Sequence, residues 1–416
     1  MKFRVIIFFS IVTITSCAQA PKTVEAWLEQ NLIVLDSNGT YDFTALGEII
    51  GDKRIVALGE SSHGIGEFYT LKSELIQYLH KEKGFEVLAM EGGLGDINLA
   101  YSTIDTLTSE QLRDNTLFPN FRTKEINPLI EYIFETKDSD VPLLYTGFDT
   151  QISTSYCLKK IEEILKPYDP ELSAQILPVL GAQFKIMNEV RANDSLGYDV
   201  QRDLFIDTAN KAKATILQNE TEIQEQFNLN PFQFKVIERA LSILQKSADL
   251  PYNESWRFIE LRDQLMAENF EWLLQEVFPN KKVVIWAHNG HIDKGGSANN
   301  SFTMMGHRLK ETFKDDYYAL GLFAYKGEAY QHWTQKVIPF ENSGKASIEK
   351  TLTETKKRTS FLNLDNVEKS PNTRWLFETV DALEFENGGK VSFVPKKRFD
   401  GLITVYESAA PTYDEK

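Results

Sequence analysis

RIVALGESSHGIGEFYTLKSELIQYLHKEKGFEVLAM, residues Arg54–Met90, places two short apolar runs on either side of a longer periodic segment. RIVAL (54–58) and EVLAM (86–90) have the continuous apolar character of strands that are buried on both faces. The segment between them carries apolar residues at three- and four-residue steps and then a glycine stop, namely Phe68, Leu71, Leu75, Leu79 and Gly84. A strand, a helix and a second strand in this order predict two parallel strands of one sheet.

Similar apolar runs recur along the chain and extend the predicted sheet. They are VPLLYTG (141–147), KVVIWA (282–287), YYALGLFAY (317–325), KVSFVP (390–395) and FDGLITVYE (399–407). From Tyr156 to Asn280 the pattern is almost entirely helical. We therefore predict an α/β fold with a mainly parallel central sheet flanked by helices and a large helical insertion or cap at about 156–280. A single domain over 22–416 accommodates these elements.

The N-terminus, MKFRVIIFFSIVTITSCAQA, has a basic start and an apolar stretch too short to cross a bilayer comfortably. ITSC, ending at Cys17, resembles the lipobox of bacterial lipoproteins, so residues 1–17 are predicted to be a lipoprotein signal peptide with Cys17 as the lipidation site. Ordinary secretion with cleavage near Ala20 is the alternative. The predicted location is the bacterial cell envelope, where the lipid anchor holds the exported chain in the periplasm or on the cell surface.

The charge balance narrows the class of partner. The formal charge of −15 becomes −17 when Lys2 and Arg4 leave with the signal peptide. Nucleic acid is therefore not an expected partner, because phosphate binding needs clustered Lys and Arg. Beyond Cys17 the remaining thiol is Cys157, so no internal disulfide is expected, and Cys157 is most simply a packed helix residue.

Acids and imidazoles follow the first four predicted strands. They are Glu60 and His63 after the first strand, Glu91 after the second, Asp149 after the third, and His288 and His291 after the fourth. Ligands of open parallel sheets bind outside the carboxyl ends of the strands, where the loops converge. Each residue alone has a structural explanation, such as a turn cap or an ion pair. Together they carry three of the six histidines, which favours a functional site.

The residue types indicate activation of water. A neutral imidazole such as His63 can take a proton from water, and a carboxylate from Glu60 or Glu91 can fix its tautomer. His288 and His291 can donate hydrogen bonds to the oxyanion that forms when an ester carbonyl is attacked. A serine nucleophile fits poorly, since no G-x-S-x-G motif occurs in the chain. A zinc or manganese site built from the same His and Glu residues is the competing interpretation.

Six stretches extend the pattern over most of the mature chain. They are ALGESSHGIGEF (57–68), LAMEGGLGD (88–96), GFDT (147–150), RDQLMAENFEWL (262–273), VVIWAHNGHI (283–292) and MGHRL (305–309). In content and order they resemble the erythromycin esterase family, hydrolases known from enzymes that open macrolide lactones. The resemblance implies metal-independent ester hydrolysis in which His63 activates water, Glu91 is the essential carboxylate, and His288 with His291 forms the second histidine pair.

Two positions depart from the family pattern. Lys72 stands where active macrolide esterases have an essential arginine, and a lysine cannot make the same bidentate contacts. Phe121, on a segment expected to wall the cleft, stands where a tryptophan is expected. These changes place a macrolide substrate in doubt more than they threaten hydrolysis.

The remaining candidates are assigned to substrate binding. In RDQLMAENFEWL the stripe of Met266, Phe270 and Leu273 predicts core packing, while Arg262 lies off it and is expected to bind an anionic or carbonyl group. Lys72, Asp149, Phe121 and Glu67 complete the predicted substrate-binding set, although Glu67 is equally suited to bond loop amides or to stabilise a helix N-terminus.

The sequence therefore predicts an exported hydrolase of a small-molecule ester or lactone. His63 is the base, Glu60 and Glu91 orient and stabilise it, and His288 with His291 stabilises the oxyanion. No cofactor is expected. The alternatives are a metal-dependent hydrolase that uses the same His and Glu cluster, and a non-catalytic envelope lipoprotein that binds a glycan or small ligand.

Overall fold

A computed structural model describes residues 23–37, 39–295, 302–384 and 389–413, apart from the side chains of residues 37, 189 and 190. The predicted signal peptide and its Cys17 lie outside the described residues. Among the residues that the structure does describe, none of the helices has the length and apolar character needed to cross a membrane.

The described strands and helices alternate over most of the chain. The strands are β1 (Leu32–Val34), β2 (Asp36–Ser37), β3 (Thr40–Tyr41), β4 (Ile55–Leu58), β5 (Phe85–Gly93), β6 (Leu144–Asp149), β7 (Lys282–Trp286), β8 (Tyr317–Gln331), β9 (Lys336–Glu341), β10 (Thr359–Asn363), β11 (Val380–Glu384), β12 (Gly389–Phe393) and β13 (Gly401–Ser408). The α-helices are α1 (Val24–Asn31), α2 (Thr44–Ile50), α3 (Gly66–Lys83), α4 (Leu94–Tyr101), α5 (Ser109–Thr116), α6 (Asn127–Thr136), α7 (Tyr156–Leu165), α8 (Pro170–Gln175), α9 (Arg191–Asn193), α10 (Ser195–Gln218), α11 (Glu220–Gln226), α12 (Pro231–Ala248), α13 (Phe258–Trp272), α14 (Asn289–Ile292), α15 (Met305–Phe313), α16 (Ile348–Leu352) and α17 (Pro395–Arg398).

A mixed sheet of nine strands forms the centre of the fold. Six neighbouring strands run parallel in the order β13-β8-β4-β7-β5-β6. Beyond β13 the sheet continues with β10 and then β1, each antiparallel to its neighbour, and β9 pairs antiparallel with the end of β8. β4 is fully buried between β8 and β7, with Leu58 opposite both Leu320 and Trp286. The predicted α/β class and the mainly parallel sheet are confirmed.

Helix α3 explains why the opening segment folds as the spacing predicts. Phe68, Leu71, Leu75 and Leu79 are fully buried on its sheet-facing side. Burial of each such side chain contributes about 1.5–3 kcal/mol relative to an exposed one. The helix ends where Gly84 takes the left-handed conformation with φ of 70°, which glycine adopts without steric cost. The polypeptide then turns directly into β5.

One predicted core strand is placed differently. KVSFVP forms β12, but β12 pairs with β11 in a separate two-stranded hairpin and not with the central sheet. Its side chains are more and less exposed in alternation, which is the pattern of a strand with one solvent-facing side. The antiparallel strands β1, β9 and β10 were not predicted, because each is short or carries polar residues.

Apolar side chains form three clusters. One lies on each face of the sheet, and the third joins α4 to the helices from α7 to α12 through Leu94, Leu99 and Cys157. Helix α13 belongs to a sheet face, since Met266 and Phe270 pack with Phe148 of β6. The predicted core stripe of α13 is therefore present, and its packing fixes α13 against the carboxyl end of β6.

Glu349 of α16 is a buried carboxylate that ties three elements together. Its side chain is fully buried and accepts hydrogen bonds from Leu383 N at 2.7 Å, Asn342 Nδ2 at 2.6 Å and Ser347 Oγ at 2.9 Å. Burial raises the pKa of Glu349 to about 7, although these donors oppose the shift. The raised pKa means that its ionisation destabilises the folded state near neutral pH.

We predict that Glu349→Gln makes the protein less sensitive to rising pH. The contribution of a carboxyl with a raised pKa is present below the unfolded value of about 4.5 and is lost as pH rises through about 7. Between pH 5 and pH 8, the free energy of unfolding of the variant should improve relative to wild type by about 2–3 kcal/mol. Urea unfolding at both pH values measures this difference. Glu328→Gln, at an exposed position, is the control and should show none of the improvement.

Candidate active site

The loops after β4 and β7 are locked together by backbone and amide contacts. Asn289 N donates to Glu60 O at 2.8 Å, and the Asn289 side chain pairs with the backbone of Leu322 at 2.9 and 3.1 Å. A Cβ on Gly59 would lie 2.0 Å from Asn289 Oδ1, so only glycine permits this approach. The loops that carry His63 and His288 are therefore held in one register.

His63 is oriented by a buried carboxylate and lysine pair. Its Nδ1 lies 2.7 Å from Glu60 Oε1, and Glu60 Oε2 accepts from Lys72 Nζ at 2.8 Å. Glu60 and Lys72 are fully buried, whereas the His63 side chain is 17% exposed. With an ionised Glu60 on Nδ1–H, the neutral His63 ring carries its lone pair on Nε2.

The pKa shifts of the pair follow from burial and mutual attraction. Burial raises the pKa of Glu60, but Lys72 and His63 outweigh it and lower the pKa overall. Burial also lowers the pKa of Lys72, and Glu60 offsets only part of that effect. Lys72 Nζ additionally lies 4.2 Å from the centre of the Trp286 ring, a cation–π contact that supports the ammonium form.

Aromatic rings form a wall beside His63. The Phe121 ring meets the His63 ring edge-on at 5.2 Å between centroids, and it also packs on Tyr69 and Trp286 at 5.9 and 6.4 Å. Phe121 is 1% exposed, so its side chain supports the His63 ring from the core and offers almost no surface to a substrate, unlike the predicted binding residue. On another side the His288 ring lies 5.3 Å from His63, so the imidazole sits between an apolar wall and a second imidazole.

Arg262 is the central cation of a second group of site residues, which also contains Glu91, Asp149 and His291. It binds Asp149 through two hydrogen bonds, from Nε to Oδ1 at 3.0 Å and from Nη2 to Oδ2 at 2.5 Å. Its Nη2 also donates to Glu91 Oε1 at 2.9 Å, and its Nη1 lies 2.9 Å from His291 Nε2. Although burial opposes it, attraction to Asp149 and Glu91 raises the Arg262 pKa further.

Glu91 connects Arg262 to the loop after β7. Its Oε2 accepts from the His288 backbone N–H at 2.8 Å, and its side chain is almost fully buried. Burial raises the Glu91 pKa, but the charges of His291, Arg262 and His63 outweigh it and hold the pKa well below the usual range. Glu91 is therefore an ionised carboxylate near neutral pH, suited to position cations and not to donate a proton.

His291 is bracketed by two carboxylates. Its Nδ1 lies 2.9 and 3.0 Å from the oxygens of Asp263, and its Nε2 lies 3.3 Å from Glu91 Oε1. Burial and Arg262 lower the His291 pKa, but Asp263 and Glu91 outweigh them and raise it overall. The ring takes up a proton more readily than a free imidazole, because the carboxylates around it outnumber the single positive charge of Arg262.

The structure brings Glu60, His63, Glu91, His288 and His291 together, with Lys72, Arg262, Asp149 and Phe121 around them. Asp149 faces Arg262 and also accepts from Gln151 N at 3.1 Å, and Lys72 faces Glu60. Glu67 instead bonds to the C-terminal segment, since its Oε2 accepts from Ala409 N at 2.7 Å.

Asp263 was missed as a site residue. Its position beside Arg262 in the RDQ stretch was the available signal.

A C-terminal strap, residues 409–413, crosses over the His63 loop. Gly66 N donates to Ala409 O at 2.9 Å, and Lys124 N donates to Thr412 O at 2.8 Å. The Tyr413 ring packs on Tyr330 with a centroid distance of 4.7 Å. The strap thereby links the loop that carries His63 to the segment that carries Phe121. It was not predicted, because short polar backbone contacts leave no periodic pattern in the sequence.

The donor geometry does not single out a metal centre. In the part of the chain that is described, no group of three or more His, Cys, Asp and Glu side chains is arranged to hold a metal ion. Arg262 instead lies among Glu91, Asp149 and His291, with its guanidinium between their polar atoms.

Comparisons with known proteins find chains similar to this one over most of its length. The family model for erythromycin esterase matches residues 80–408, which include Glu91, Arg262, His288 and His291, while Glu60 and His63 precede them. YbfO of Bacillus subtilis, a protein named as a hydrolase, is 26% identical over 95% of this chain and 93% of its own length. Erythromycin esterase type II of Escherichia coli is 23% identical over 88% of this chain and 93% of its own.

A solved structure shows the same fold. The crystal structure of a Bacillus cereus protein superimposes with a TM-score of 0.74 at 20% identity, covering 94% of this chain and 98% of that one. At this identity the likeness establishes the shared architecture.

We predict that Lys72→Met destabilises the protein in a pH-dependent way. The variant leaves Glu60 buried without its cation, and removal of one partner of a buried pair costs about 3–5 kcal/mol. Without Lys72 burial dominates and the Glu60 pKa rises, so protonation at lower pH should relieve part of the loss. Urea unfolding at pH 7.5 and pH 5 should show the larger loss at the higher pH.

The matched control is Lys83→Met, which removes the partner of the largely exposed Glu48. Exposed ion pairs contribute little to stability because water screens them, so the control should change little at either pH. Equal losses for the two variants would contradict the buried-pair interpretation of Lys72.

Proposed function

Because the chain belongs to the erythromycin esterase family, we propose that it is a hydrolase in which His63 activates water to attack a carboxylic ester or lactone. The observation that supports this most directly is the 2.7 Å contact of His63 Nδ1 with Glu60, backed by Lys72. These hydrogen bonds favour the His63 tautomer that carries its proton on Nδ1, so Nε2 is the proposed base. His63 is also the more exposed of the histidines in the cluster, as a group that meets water must be.

In the proposed reaction His63 acts first on water, and the residues around Arg262 then stabilise the charge that forms. His63 Nε2 takes a proton from water while the water oxygen bonds to the carbonyl carbon, and the C=O electron pair moves onto the carbonyl oxygen. The resulting oxyanion is stabilised by His288, His291 and Arg262. The carbon–oxygen bond to the leaving alkoxide then breaks, and His63 returns its proton to that alkoxide, giving an acid and an alcohol.

The cations have different proposed roles. The raised pKa of His291 favours its charged form, so His291 and the permanent charge of Arg262 place positive charge beside the developing oxyanion, although both ring nitrogens of His291 already face protein groups. Lys72 is fully buried and engaged by Glu60, so we assign it to positioning the base and not to contact with substrate. Asp149 likewise positions Arg262. The substrate class is a small-molecule ester or lactone, with a macrolide as one candidate because a relative is named for that activity.

We predict that His63→Ala lowers kcat/KM for p-nitrophenyl esters at least 100-fold, because a positioned general base contributes about 10²–10⁴-fold. A macrolide should be assayed beside these esters as a candidate lactone. His307→Ala is the matched control, since the His307 ring contacts the Lys294 carbonyl and not the cluster. Equal rates for wild type and His63→Ala would remove His63 from the mechanism.

Metal analysis separates this mechanism from a metal-dependent one. Protein purified without chelator should be assayed before and after treatment with EDTA, and its metal content measured by elemental analysis. Activity that survives EDTA agrees with the proposed mechanism. Stoichiometric metal whose removal abolishes activity and whose return restores it would contradict the mechanism and favour the metallohydrolase.

We further propose that the chain is exported and held in the bacterial envelope by lipid on Cys17. The supports are the basic and apolar N-terminus and the ITSC sequence. Cys17→Ser should move the protein from the membrane fraction to the soluble fraction of an expressing bacterium and abolish labelling by a radioactive fatty acid. Cys157→Ser, at a buried cysteine, is the control and should stay membrane-bound. An unchanged distribution of the Cys17 variant would contradict the anchor.

A further inference from the structure

A cleft of about 290 Å³ with no assigned role is lined by residues that lie close along the chain to several residues of the candidate active site. Its walls are the loop that follows β6, the π-helical turn Lys185–Val190 with the residues before it, and single aromatic residues from two other elements. The apolar members of the lining are Phe118, Ile152, Leu158, Phe184, Met187 and Phe258. The volume is at the small end of the roughly 300–1,000 Å³ range of ligand pockets.

Three elements that line the cleft also supply the cluster. Phe118 directly precedes the turn Pro119–Phe121 whose Phe121 ring packs on His63. Phe258 lies one turn before Arg262 on α13, a rise of about 6 Å. The third element is the loop after β6, which begins at Asp149. The cleft therefore begins within about one helical turn of the groups that would hold the reacting carbonyl.

The wall nearest the cluster is fixed by buried hydrogen bonds. Asp149, which holds Arg262, also accepts from Gln151 N at 3.1 Å at the start of the cleft. Gln183 is buried and bridges the two main walls, accepting from Ile152 N at 3.0 Å and donating to Thr150 O at 3.1 Å. These contacts keep the cleft open, as a preformed binding site requires.

The lining is uncharged, in contrast to the neighbouring cluster. Every residue with a described side chain in the lining is apolar, a hydroxyl residue, an amide residue or glycine. Phe184 at the lip keeps 60% of its surface exposed, so this apolar part of the lining is open to an incoming ligand. The adjoining π-helical turn is a distortion that recurs at functional sites.

We propose that this cleft binds an uncharged, largely apolar chain of the substrate, so that the enzyme acts on medium-chain esters whose acyl arm lies in the cleft. The inference rests on the proposed ester hydrolysis and adds the substrate class to it. An ionised chain end is excluded by its desolvation, since the described lining offers it no opposite charge. Hydroxyls from Ser153, Thr154 and Ser155 can accommodate scattered polar groups along the chain.

Hydrolysis of p-nitrophenyl acetate and p-nitrophenyl octanoate tests the proposal. Wild type should favour octanoate, and Phe184→Asp and Ser155→Asp should lower the ratio of octanoate to acetate kcat/KM at least tenfold. Ser155 stands at the N-cap of α7 without a side-chain cap bond, where aspartate favours the helix, so its variant should fold. Leu196→Asp adds the same charge at an 81% exposed apolar residue outside the cleft and should keep the wild-type ratio.

A binding experiment separates failure of the cleft from failure of the esterase. Octanamide, which resists ester hydrolysis and is uncharged, should bind wild type, and octanoate and octylammonium should bind at least tenfold more weakly in calorimetry. Phe184→Asp and Ser155→Asp should weaken octanamide binding at least tenfold. If octanamide binds but no ester is hydrolysed, the proposed function is rejected and the cleft is retained as a binding site for apolar chains. The proposed role of the cleft would be overturned if both variants hydrolysed esters with the wild-type ratio of octanoate to acetate kcat/KM. It would also be overturned if octanamide did not bind to wild type.

Discussion

The burial of four carboxylates at one end of the sheet constrains the rest of the site. Glu60, Glu91, Asp149 and Asp263 are each at most 4% exposed, and an ionised carboxylate in such a place needs a cation close by. Lys72 serves Glu60, Arg262 serves Glu91 and Asp149, and His291 serves Asp263. Because these partners come from α3, α13 and the loop after β7, the charge pairs determine how the helices meet the strand ends.

The charge pairs depend on strands and loops that hold their partners at fixed distances. Parallel strands place their carboxyl ends at one edge, and Asn289 then fixes the loop after β7 to both β8 and the loop after β4. The C-terminal strap does the same from the outer side by joining the His63 loop to the Phe121 segment. Several hydrogen bonds of modest individual strength, about 1 kcal/mol each, thereby hold His63 within reach of Glu60.

Features that follow from the spacing of apolar residues are predicted from the sequence, whereas contacts between residues far apart in the chain are not. The spacing of Leu71, Leu75 and Leu79 and the stop at Gly84 predict α3 correctly, because burial on one face imposes that period. The strand-end rule brings His63, Glu91 and His288 together, because parallel strands end at one edge of the sheet. Asp263 was missed because its partner lies far along the chain, and β12 was misplaced because an apolar run does not reveal which sheet it joins. For Glu67 the sequence leaves substrate binding and bonding to loop amides open, and the structure shows its carboxylate accepting from the backbone N–H of Ala409.

The same charge pairs also decide which group can move a proton. Glu60 and Glu91 have lowered pKa values, so near neutral pH they hold no proton to give and are weak bases. Arg262 is more firmly protonated than a free arginine and cannot exchange a proton at all. Burial lowers the pKa of Lys72 to about 8, but this side chain is fully buried and bonded to Glu60. The imidazoles remain as the candidates for proton transfer to a substrate, and two of these differ in their surroundings. His291 has Asp263 on one side and Glu91 on the other, which favours its protonated form, whereas His63 has a carboxylate on Nδ1 and a partly exposed ring. His63 and His291 thus differ in the number of carboxylates around them, and this difference suits His63 to the proposed role of base and His291 to the proposed role of cation.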